Sequence, residues 1–293
     1  MKPVVLVTGA AGLIGQYLVN TALQWTPDRD IHGLTRVDLD LTNRAEVERR
    51  WRSIKPDAVI HCAAMSRTKD CEQDPVAARR INVEVTTHLA ELSQDIPFVF
   101  LSSGEVFDGK TGWYDESAEP KPINVYGKTK LEAEQAVLQN HRHTVLRIVL
   151  TAGTSRQGDR SFVEDMCRVA KSGKEVALYA DEYRCPLPAG VIARVIWELL
   201  DRARPGLYHL GGRERLSRWE IGQALLPWYP VLEGRLIRAS AQDHAGAPRP
   251  PDLSLRCDKI QSLLSFGIPG FREWLKGRSR RGADLWDYDE PHR

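Results

Sequence analysis

Residues 4–15 read VVLVTGAAGLIG, an apolar run that leads directly into a turn with glycines at positions 9, 12 and 15. Short continuous apolar runs are typical of parallel strands that are buried on both faces. After such a strand, Gly9 permits a tight turn, Gly12 lets the backbone approach a ligand, and Gly15 lets the next helix pack closely. This stretch therefore predicts a strand, a turn and a helix that open a nucleotide-binding βαβ unit.

The helix that follows this turn is expected to face an anion. The N–H groups at a helix N-terminus lack partners within the helix and carry partial positive charge, so a pyrophosphate is stabilised there. A dinucleotide coenzyme would supply that group. Its predicted contacts in the turn are Thr8, Gly9, Ala11, Gly12, Leu13, Ile14 and Gly15.

Strand-like and helix-like patterns alternate through the first half of the chain. The patterns predict strands at residues 4–7, 31–34, 58–60 and 98–101 and helices at 13–23, 44–54 and about 75–93. Such alternation is typical of βαβ units in an α/β fold with a doubly wound parallel sheet, the Rossmann fold.

Beyond about residue 150 the composition changes, because proline, glycine and arginine become frequent. Helical patterns continue at 162–171, 191–203 and 219–226, and a strand is predicted at 207–210. We interpret residues 1–150 as the NAD(P)-binding Rossmann domain and 151–278 as a smaller substrate lobe interleaved with the last strands. Residues 279–293 are charged and without pattern, which predicts a flexible tail.

Composition excludes several classes of protein. Apolar residues make up 42% of the chain, charged residues 27%, and the net charge is only +2, so no general basic field favours nucleic acid. Five scattered cysteines without a CxxC pair favour reduced thiols over disulfides or a metal site. No apolar segment reaches the length of a membrane span. We therefore expect a cytoplasmic protein that uses neither a metal, a membrane nor nucleic acid.

The end of the second predicted strand bears on the choice of coenzyme. An acidic residue there would bind the ribose hydroxyls of NAD and repel a 2′-phosphate, but this chain has Thr35 and Arg36. A guanidinium binds phosphate well, so NADPH is favoured over NAD, although a solvated Arg36 is the alternative. Further predicted coenzyme contacts are Asp40, Leu41, Cys62, Ala63 and Ala64.

Three side chains form a candidate catalytic group. Tyr126 and Lys130 are four residues apart, so on a helix they share one face. A phenol is a poor acid–base group at neutral pH, and a nearby lysine cation is expected to lower its pKa. Ser103 follows closely after the strand predicted at 98–101, at the sheet edge where open α/β folds bind ligands, and its hydroxyl could hold a carbonyl oxygen. Strand-end serines also serve as caps.

These features, with five further stretches, resemble those of extended short-chain dehydrogenase/reductases, above all the dTDP-4-dehydrorhamnose reductase family. The resemblance implies that Ser103, Tyr126 and Lys130 are catalytic. It also implies that Tyr126, Lys130 and Asn82, which lies on a helix near the site, contact the coenzyme. The further stretches are 38–42 (DLDLT), 55–64 (KPDAVIHCAA), 106–109 (VFDG), 124–131 (NVYGKTKL) and 206–210 (GLYHL).

The chain departs from that family where the substrate is expected. The family usually has an aspartate and a tyrosine after its active-site hydroxyl, whereas this chain has Gly104 and Glu105. The tryptophan that often follows the strand arginine is missing, since Leu150 ends that stretch. A carboxylate at Glu105 disfavours an anionic sugar nucleotide unless a cation offsets it. The predicted substrate contacts are Ser103, Gly104, Glu105 and Arg184.

Three functions follow from this pattern. The first is an NADPH-dependent reductase of a keto sugar nucleotide, with Tyr126 as the acid. The second is an NAD-dependent sugar-nucleotide epimerase or dehydratase, which Arg36 disfavours. The third is an NADP-binding regulatory subunit without turnover, like the β subunit of methionine adenosyltransferase. The resemblance also leaves a homodimer open.

Overall fold

The computed structural model describes residues 2–277 and contains both strands and helices in alternation. In chain order its strands are β1 (Val4–Thr8), β2 (Asp30–Leu34), β3 (Ala58–His61), β4 (Phe98–Ser103), β5 (His143–Ile148), β6 (Thr151–Ala152), β7 (Val176–Tyr179), β8 (Tyr183–Arg184), β9 (Leu187–Pro188), β10 (Gly206–Leu210), β11 (Leu216–Ser217) and β12 (Leu236–Ala239).

The α-helices of the same region are α1 (Leu13–Trp25), α2 (Arg44–Ile54), α3 (Thr68–Gln73), α4 (Pro75–Arg79), α5 (Val85–Leu92), α6 (Val125–Val137), α7 (Phe162–Lys171), α8 (Ala189–Arg202), α9 (Arg218–Leu225), α10 (Asp258–Gln261) and α11 (Phe271–Gly277). A π-helical stretch, Arg80–Glu84, joins α4 to α5.

Six strands form the main sheet in the order β10-β5-β4-β3-β1-β2, and every neighbouring pair is parallel. The chain therefore starts in the interior of the sheet and winds outward in both directions from β1. The carboxyl ends of all six strands lie at one edge, where such folds bind ligands.

Helices cover both faces of this sheet. Side chains of β1 alternate between the faces: Val5 belongs to the core beneath α1 and α8, whereas Leu6 belongs to the core beneath α2, α5 and α6. Because both faces are covered, every residue of β3 and β4 is buried. This accounts for their continuous apolar character in the sequence.

The C-terminal lobe has its own smaller core. Strands β7 and β12 pair in parallel, and α7, α9 and α11 pack around them through Met166, Leu178, Ile221 and Phe271. Between parts of this lobe, β10 returns to the main sheet beside β5. Strand β11 pairs with β8 in antiparallel fashion.

The predicted fold class, a doubly wound parallel sheet, is confirmed, and one predicted helix needs correction. The helix expected over about 75–93 is divided into α4, the π-helical stretch and α5, and α3 precedes it. The domain boundary at residue 150 stays a prediction, and the predicted tail at 279–293 lies outside the described residues.

Candidate active site

The glycine turn has the close backbone contacts that its sequence predicts. Gly9 has φ +67°, and a Cβ there would lie 2.7 Å from the Ala63 nitrogen. A Cβ on Gly15 would lie 2.2 Å from the Gly9 carbonyl oxygen. Gly12 is the N-cap of α1, and no side chain caps that helix. The N-terminus of α1 is therefore open to an anion.

A buried hydrogen-bonded chain lies behind this turn. The Thr86 hydroxyl donates to the Asn82 carbonyl oxygen (2.7 Å), so it accepts from His61 Nε2 (3.0 Å). His61 Nδ1 then accepts from the Thr8 hydroxyl at 2.7 Å. Burial lowers the pKa of His61 to about 3, which keeps the ring neutral. This histidine ties β1 to β3 and α5, and sequence reasoning did not find it.

Asn82 connects that chain to the helix that carries the candidate catalytic tyrosine. Its amide oxygen accepts from Met65 N (2.8 Å), and its amide nitrogen donates to the Thr129 hydroxyl (3.0 Å). The Thr129 hydroxyl in turn donates to the Tyr126 carbonyl oxygen (2.8 Å). Asn82 lies in the π-helical stretch, a distortion that is frequent at functional sites. The Asn82 side chain is buried, and its hydrogen bonds reach Tyr126 through Thr129 and the backbone of α6.

Ser103 and Tyr126 come together at the carboxyl end of β4. The Ser103 hydroxyl accepts from Glu105 N (3.2 Å) and lies beside the Tyr126 phenol, whose pKa it lowers. Asn124 caps α6 by accepting from Gly127 N (2.8 Å). A Cβ on Gly127 would lie 2.1 Å from the Glu105 carbonyl oxygen, so glycine at this position lets α6 approach the end of β4.

Lys130 does not affect Tyr126 as the sequence predicts. Its ammonium group is buried, donates to the Leu101 carbonyl oxygen (2.6 Å) and lies 3.9 Å from the Phe100 ring centroid. Burial lowers the pKa of Lys130 to about 7. Burial and the Glu105 carboxylate raise the pKa of Tyr126, and the neighbouring Ser103 hydroxyl offsets this only in part. The expected lowering of the tyrosine pKa by lysine is therefore wrong for this structure.

The predicted substrate residues Glu105 and Arg184 lie close together. Arg184 Nη2 is 3.9 Å from Glu105 Oε1, and the Asn124 amide donates to Glu105 Oε2 (2.8 Å). Arg184 also lies 3.3 Å from Glu182 Oε1. A cation thus faces the carboxylate at position 105, as an anionic substrate would require. Gly104 begins the short helical turn after β4, and a Cβ there would lie 2.8 Å from Val149 Cγ1.

Three arginines surround the carboxylate of Glu182. Its carboxylate is buried and receives two hydrogen bonds from Arg249, at 2.6 and 2.8 Å, while Arg218 lies at 3.9 Å. Burial alone would raise the pKa of Glu182, but the three arginines lower it to about 2. Because Glu182, Arg218 and Arg249 carry no local motif, their grouping could not be read from the sequence.

The predicted contacts at the adenosine end lie around the carboxyl ends of β2 and β3. Arg36 is exposed and has no hydrogen bond or ion pair within residues 2–277, while the Thr35 hydroxyl donates to Asp38 (2.6 Å). Asp40 accepts from Thr42 N and from the Thr42 hydroxyl. Leu41 packs against the core, and Cys62, Ala63 and Ala64 follow β3 beside Gly9.

Comparison with known proteins defines the family. A sequence profile described as "RmlD substrate binding domain" matches residues 1–281. The chain belongs to this RmlD family. A dTDP-4-dehydrorhamnose reductase of Sinorhizobium fredii is 30% identical over 277 residues, which cover 89% of this chain and 93% of the relative. The methionine adenosyltransferase 2 subunit beta of Mus musculus is 30% identical over 298 residues, covering 97% and 87%.

Solved structures agree with this family and with the fold. The dTDP-4-dehydrorhamnose reductase of Bacillus anthracis, in complex with NADP, has a TM-score of 0.85 to this chain at 26% identity. The match covers 94% of this chain and 98% of that one. The resemblance predicted from the motifs is therefore confirmed at the level of the RmlD family.

The helix that carries the candidate catalytic residues of this RmlD-family chain is held by a buried ion pair. Glu134, one turn after Lys130 on α6, binds Arg147 of β5 through contacts of 2.7 to 3.1 Å. The Ser102 hydroxyl also donates to Glu134. Both charged side chains are buried, with 1% and 3% of their surface exposed, so each requires the other. This pair connects β4, β5 and α6 behind the candidate catalytic residues.

Membrane-spanning helices and metal sites are two features that the sequence predicts to be absent. None of the helices between residues 2 and 277 is long and apolar enough to cross a membrane. Over the same residues, no group of three or more His, Cys, Asp or Glu side chains is arranged to hold a metal ion.

Proposed function

We propose that this protein is an NADPH-dependent reductase of a keto sugar nucleotide. The observation that carries the proposal is that the Ser103 hydroxyl and the Tyr126 phenol lie beside each other at the carboxyl end of β4, close enough for Ser103 to lower the pKa of the phenol. A carbonyl oxygen that meets both hydroxyls is positioned and protonated at one place. Membership of a family that includes dTDP-4-dehydrorhamnose reductases supports this reaction.

The residues of the glycine turn fit a dinucleotide. The N-terminus of α1 has no side-chain cap, and Gly12 has no Cβ where a pyrophosphate would approach. Arg36, at the end of β2, has an exposed guanidinium that suits a 2′-phosphate. The similar reductase of Bacillus anthracis was solved with NADP. When bound, the coenzyme supplies the hydride for the carbonyl carbon.

The side chains account for the rest of the reaction. The Tyr126 phenol gives its proton to the carbonyl oxygen while the carbon receives hydride, so the ketone becomes an alcohol and the phenolate is left. Ser103 holds the oxygen by hydrogen bonding. Burial and Glu105 raise the pKa of Tyr126, so at neutral pH the phenol is in the protonated form from which a proton can be donated to the carbonyl oxygen.

The arginines near Tyr126 support an anionic substrate. Arg184 faces the Glu105 carboxylate, and Arg249 and Arg218 surround Glu182 on the same side. When Glu105 and Glu182 are both ionised, they neutralise two of the three arginines. One positive charge then remains in this group. A nucleotide diphosphate is an anion of the kind that such a group attracts.

An NADPH-oxidation assay with a panel of nucleotide 4-keto sugars tests the proposal. We expect NADPH consumption that depends on the keto sugar and yields the corresponding alcohol in equal amount. Consumption of NADPH without any keto sugar, or no consumption with every member of the panel, would contradict a reductase of this substrate class.

We expect Arg36→Ala to weaken NADPH binding by about 10- to 100-fold. A charge-assisted hydrogen bond contributes roughly 1.5–3 kcal/mol, and about 1.4 kcal/mol corresponds to a factor of ten. NADH lacks the 2′-phosphate, so its dissociation constant should not change. Calorimetric titration of both coenzymes measures this. Arg49→Ala, which alters another exposed arginine that pairs with Glu46, is the matched control. Equal weakening for NADPH and NADH would contradict the role.

Because the pKa of Lys130 is lowered, we expect coenzyme binding to depend on pH. In the free protein its pKa is lowered to about 7, so the ammonium form is lost as pH rises through 7. A ribose or phosphate oxygen favours the charged donor, so binding should raise this pKa and take up a proton. We therefore expect NADP affinity to fall between about pH 7 and pH 9, by up to roughly tenfold per unit.

Calorimetry in two buffers of different ionisation enthalpy measures the proton uptake directly. The coenzyme phosphate titrates as well, and Lys130→Met separates the two effects because it keeps the phosphate contribution alone. A pH profile that is the same for Lys130→Met and the unchanged protein would contradict the assignment.

A second function, an NADP-binding regulatory subunit, is favoured by one observation. The match to the methionine adenosyltransferase 2 subunit beta of Mus musculus covers 97% of this chain, as extensive as the match to reductases. A stable complex with a partner enzyme, together with NADP binding and no turnover of any keto sugar, would support this function over the first.

A further inference from the structure

We propose that the C-terminal lobe carries a second ligand site, for a nucleoside monophosphate, between Tyr183, Arg215, Trp219 and Arg238. A depression of about 400 Å³ lies there, lined also by Ala180, Ser217 and Glu220. Its volume is within the range of small-molecule sites, roughly 300–1,000 Å³. None of these residues belongs to the candidate active site.

The depression faces away from the candidate active site. On β8, Arg184 points towards Glu182 and Glu105, so its neighbour Tyr183 points to the opposite face. In the antiparallel pair of β8 with β11, Ser217 lies opposite Tyr183. Arg215, two residues before Ser217, lies on the same face as Ser217 and Tyr183. Its guanidinium carbon is 3.5 Å from the Tyr183 ring centroid.

The pairing of β7 with β12 shows on which side of these two strands Arg238 lies. Arg238 lies opposite Leu178 in this parallel pair, and Leu178 packs against Gly222 of α9. The next residue, Tyr179, points the other way, where its hydroxyl contacts His244 (3.0 Å). Arg238 therefore lies on the α9 side, the side of Trp219, and not on the Tyr179 side.

The two arginines offer unused donors to an anion. Arg215 is held in place because its Nε donates to Asp252 (2.7 Å), which leaves both Nη groups without hydrogen-bond partners in the described chain. Arg238 is exposed and pairs with no residue between 2 and 277. The Glu220 carboxylate in the same lining accepts from Ser217 N (2.8 Å) and from the Ser217 hydroxyl, and it lies 3.8 Å from Arg272 Nη2, so its charge is offset by that arginine. Two guanidinium groups at one depression suit a phosphate.

The aromatic lining indicates what accompanies the phosphate. Trp219 is half-buried at the start of α9 and Tyr183 is half-buried on β8. Tyr183 is already stacked with Arg215, so Trp219 is the ring that remains to stack on a planar ligand group. Stacking on an aromatic ring tolerates any base, because every base has a π-face. A phosphate joined to a base through a ribose meets both requirements.

Calorimetric titration of the full chain with AMP, GMP, CMP and UMP, in saturating NADPH, tests the site. NADPH excludes the probes from the coenzyme turn. We expect at least one nucleotide to bind at least about tenfold more tightly than inorganic phosphate, because stacking on Trp219 adds to the phosphate contacts. Arg238→Ala should weaken this binding by about tenfold or more.

Matched variants separate this site from general charge effects. Arg235→Ala removes another exposed arginine, three residues before Arg238, which donates to the Gly173 carbonyl oxygen, and it should bind as the unchanged protein does. Trp219→Leu should lower nucleotide affinity to that of phosphate, with circular dichroism to verify folding. The proposal is overturned by equal binding of phosphate and nucleotides, by binding that Arg238→Ala leaves intact, or by no binding at all. None of these outcomes depends on turnover.

Discussion

Tyr126→Phe should lower kcat for carbonyl reduction by about 10²- to 10⁴-fold, the range expected when a positioned general acid is removed. The substitution deletes one oxygen and keeps the ring, so α6 and its capping by Asn124 are left in place. NADPH should therefore still bind. Steady-state oxidation of NADPH, with the dissociation constant of NADPH measured separately, distinguishes loss of chemistry from loss of coenzyme.

Tyr208→Phe is the control for this experiment. Its hydroxyl makes a long hydrogen bond to the Pro205 carbonyl oxygen (3.4 Å), and β10 lies at the far edge of the sheet. That variant should keep its activity. If Tyr126→Phe turned over as fast as Tyr208→Phe, the phenol could not be the proton donor and the proposed mechanism would be wrong.

Gly15→Ala is expected to disrupt the coenzyme turn. The added Cβ would lie 2.2 Å from the Gly9 carbonyl oxygen and 2.8 Å from the Gly9 carbonyl carbon, so α1 must move away from the turn. Overpacking of this kind costs about 1–3 kcal/mol of stability. If coenzyme binding needs the undisplaced turn, this cost opposes binding, and we expect NADPH affinity to fall by about tenfold or more, since about 1.4 kcal/mol corresponds to a factor of ten.

Urea unfolding and NADPH titration measure the two effects. Gly267→Ala is the matched control, because a Cβ at Gly267 meets nothing within 4 Å, and it should change neither quantity beyond the small effect of an exposed residue. NADPH affinity in Gly15→Ala equal to that in Gly267→Ala would show that the close approach is not needed for binding.

Much of the candidate site could be predicted because its signals are local. Gly9, Gly12 and Gly15 act through backbone geometry within one turn, so their spacing alone indicates the structure. Tyr126 and Lys130 share a helix face for the same reason. The position of Ser103 required only the rule that parallel strands end at one edge of the sheet.

The charges around these residues could not be predicted in the same way. The carboxylate of Glu105 raises the pKa of Tyr126, and burial lowers the pKa of Lys130 to about 7, whereas the sequence predicts that a lysine cation lowers the tyrosine pKa. Burial depends on everything that packs around a group. The i, i+4 spacing carries no information about it.

The sequence by itself determined the doubly wound sheet, the open N-terminus of α1 and the order of the candidate catalytic residues, because period and turn chemistry are properties of neighbouring residues. Only the tertiary structure decided that His61 links the glycine turn to Asn82 and that Arg184 faces Glu105. Those contacts join residues that are distant in the chain, and they exist only after the sheet has brought separate strand ends to one edge.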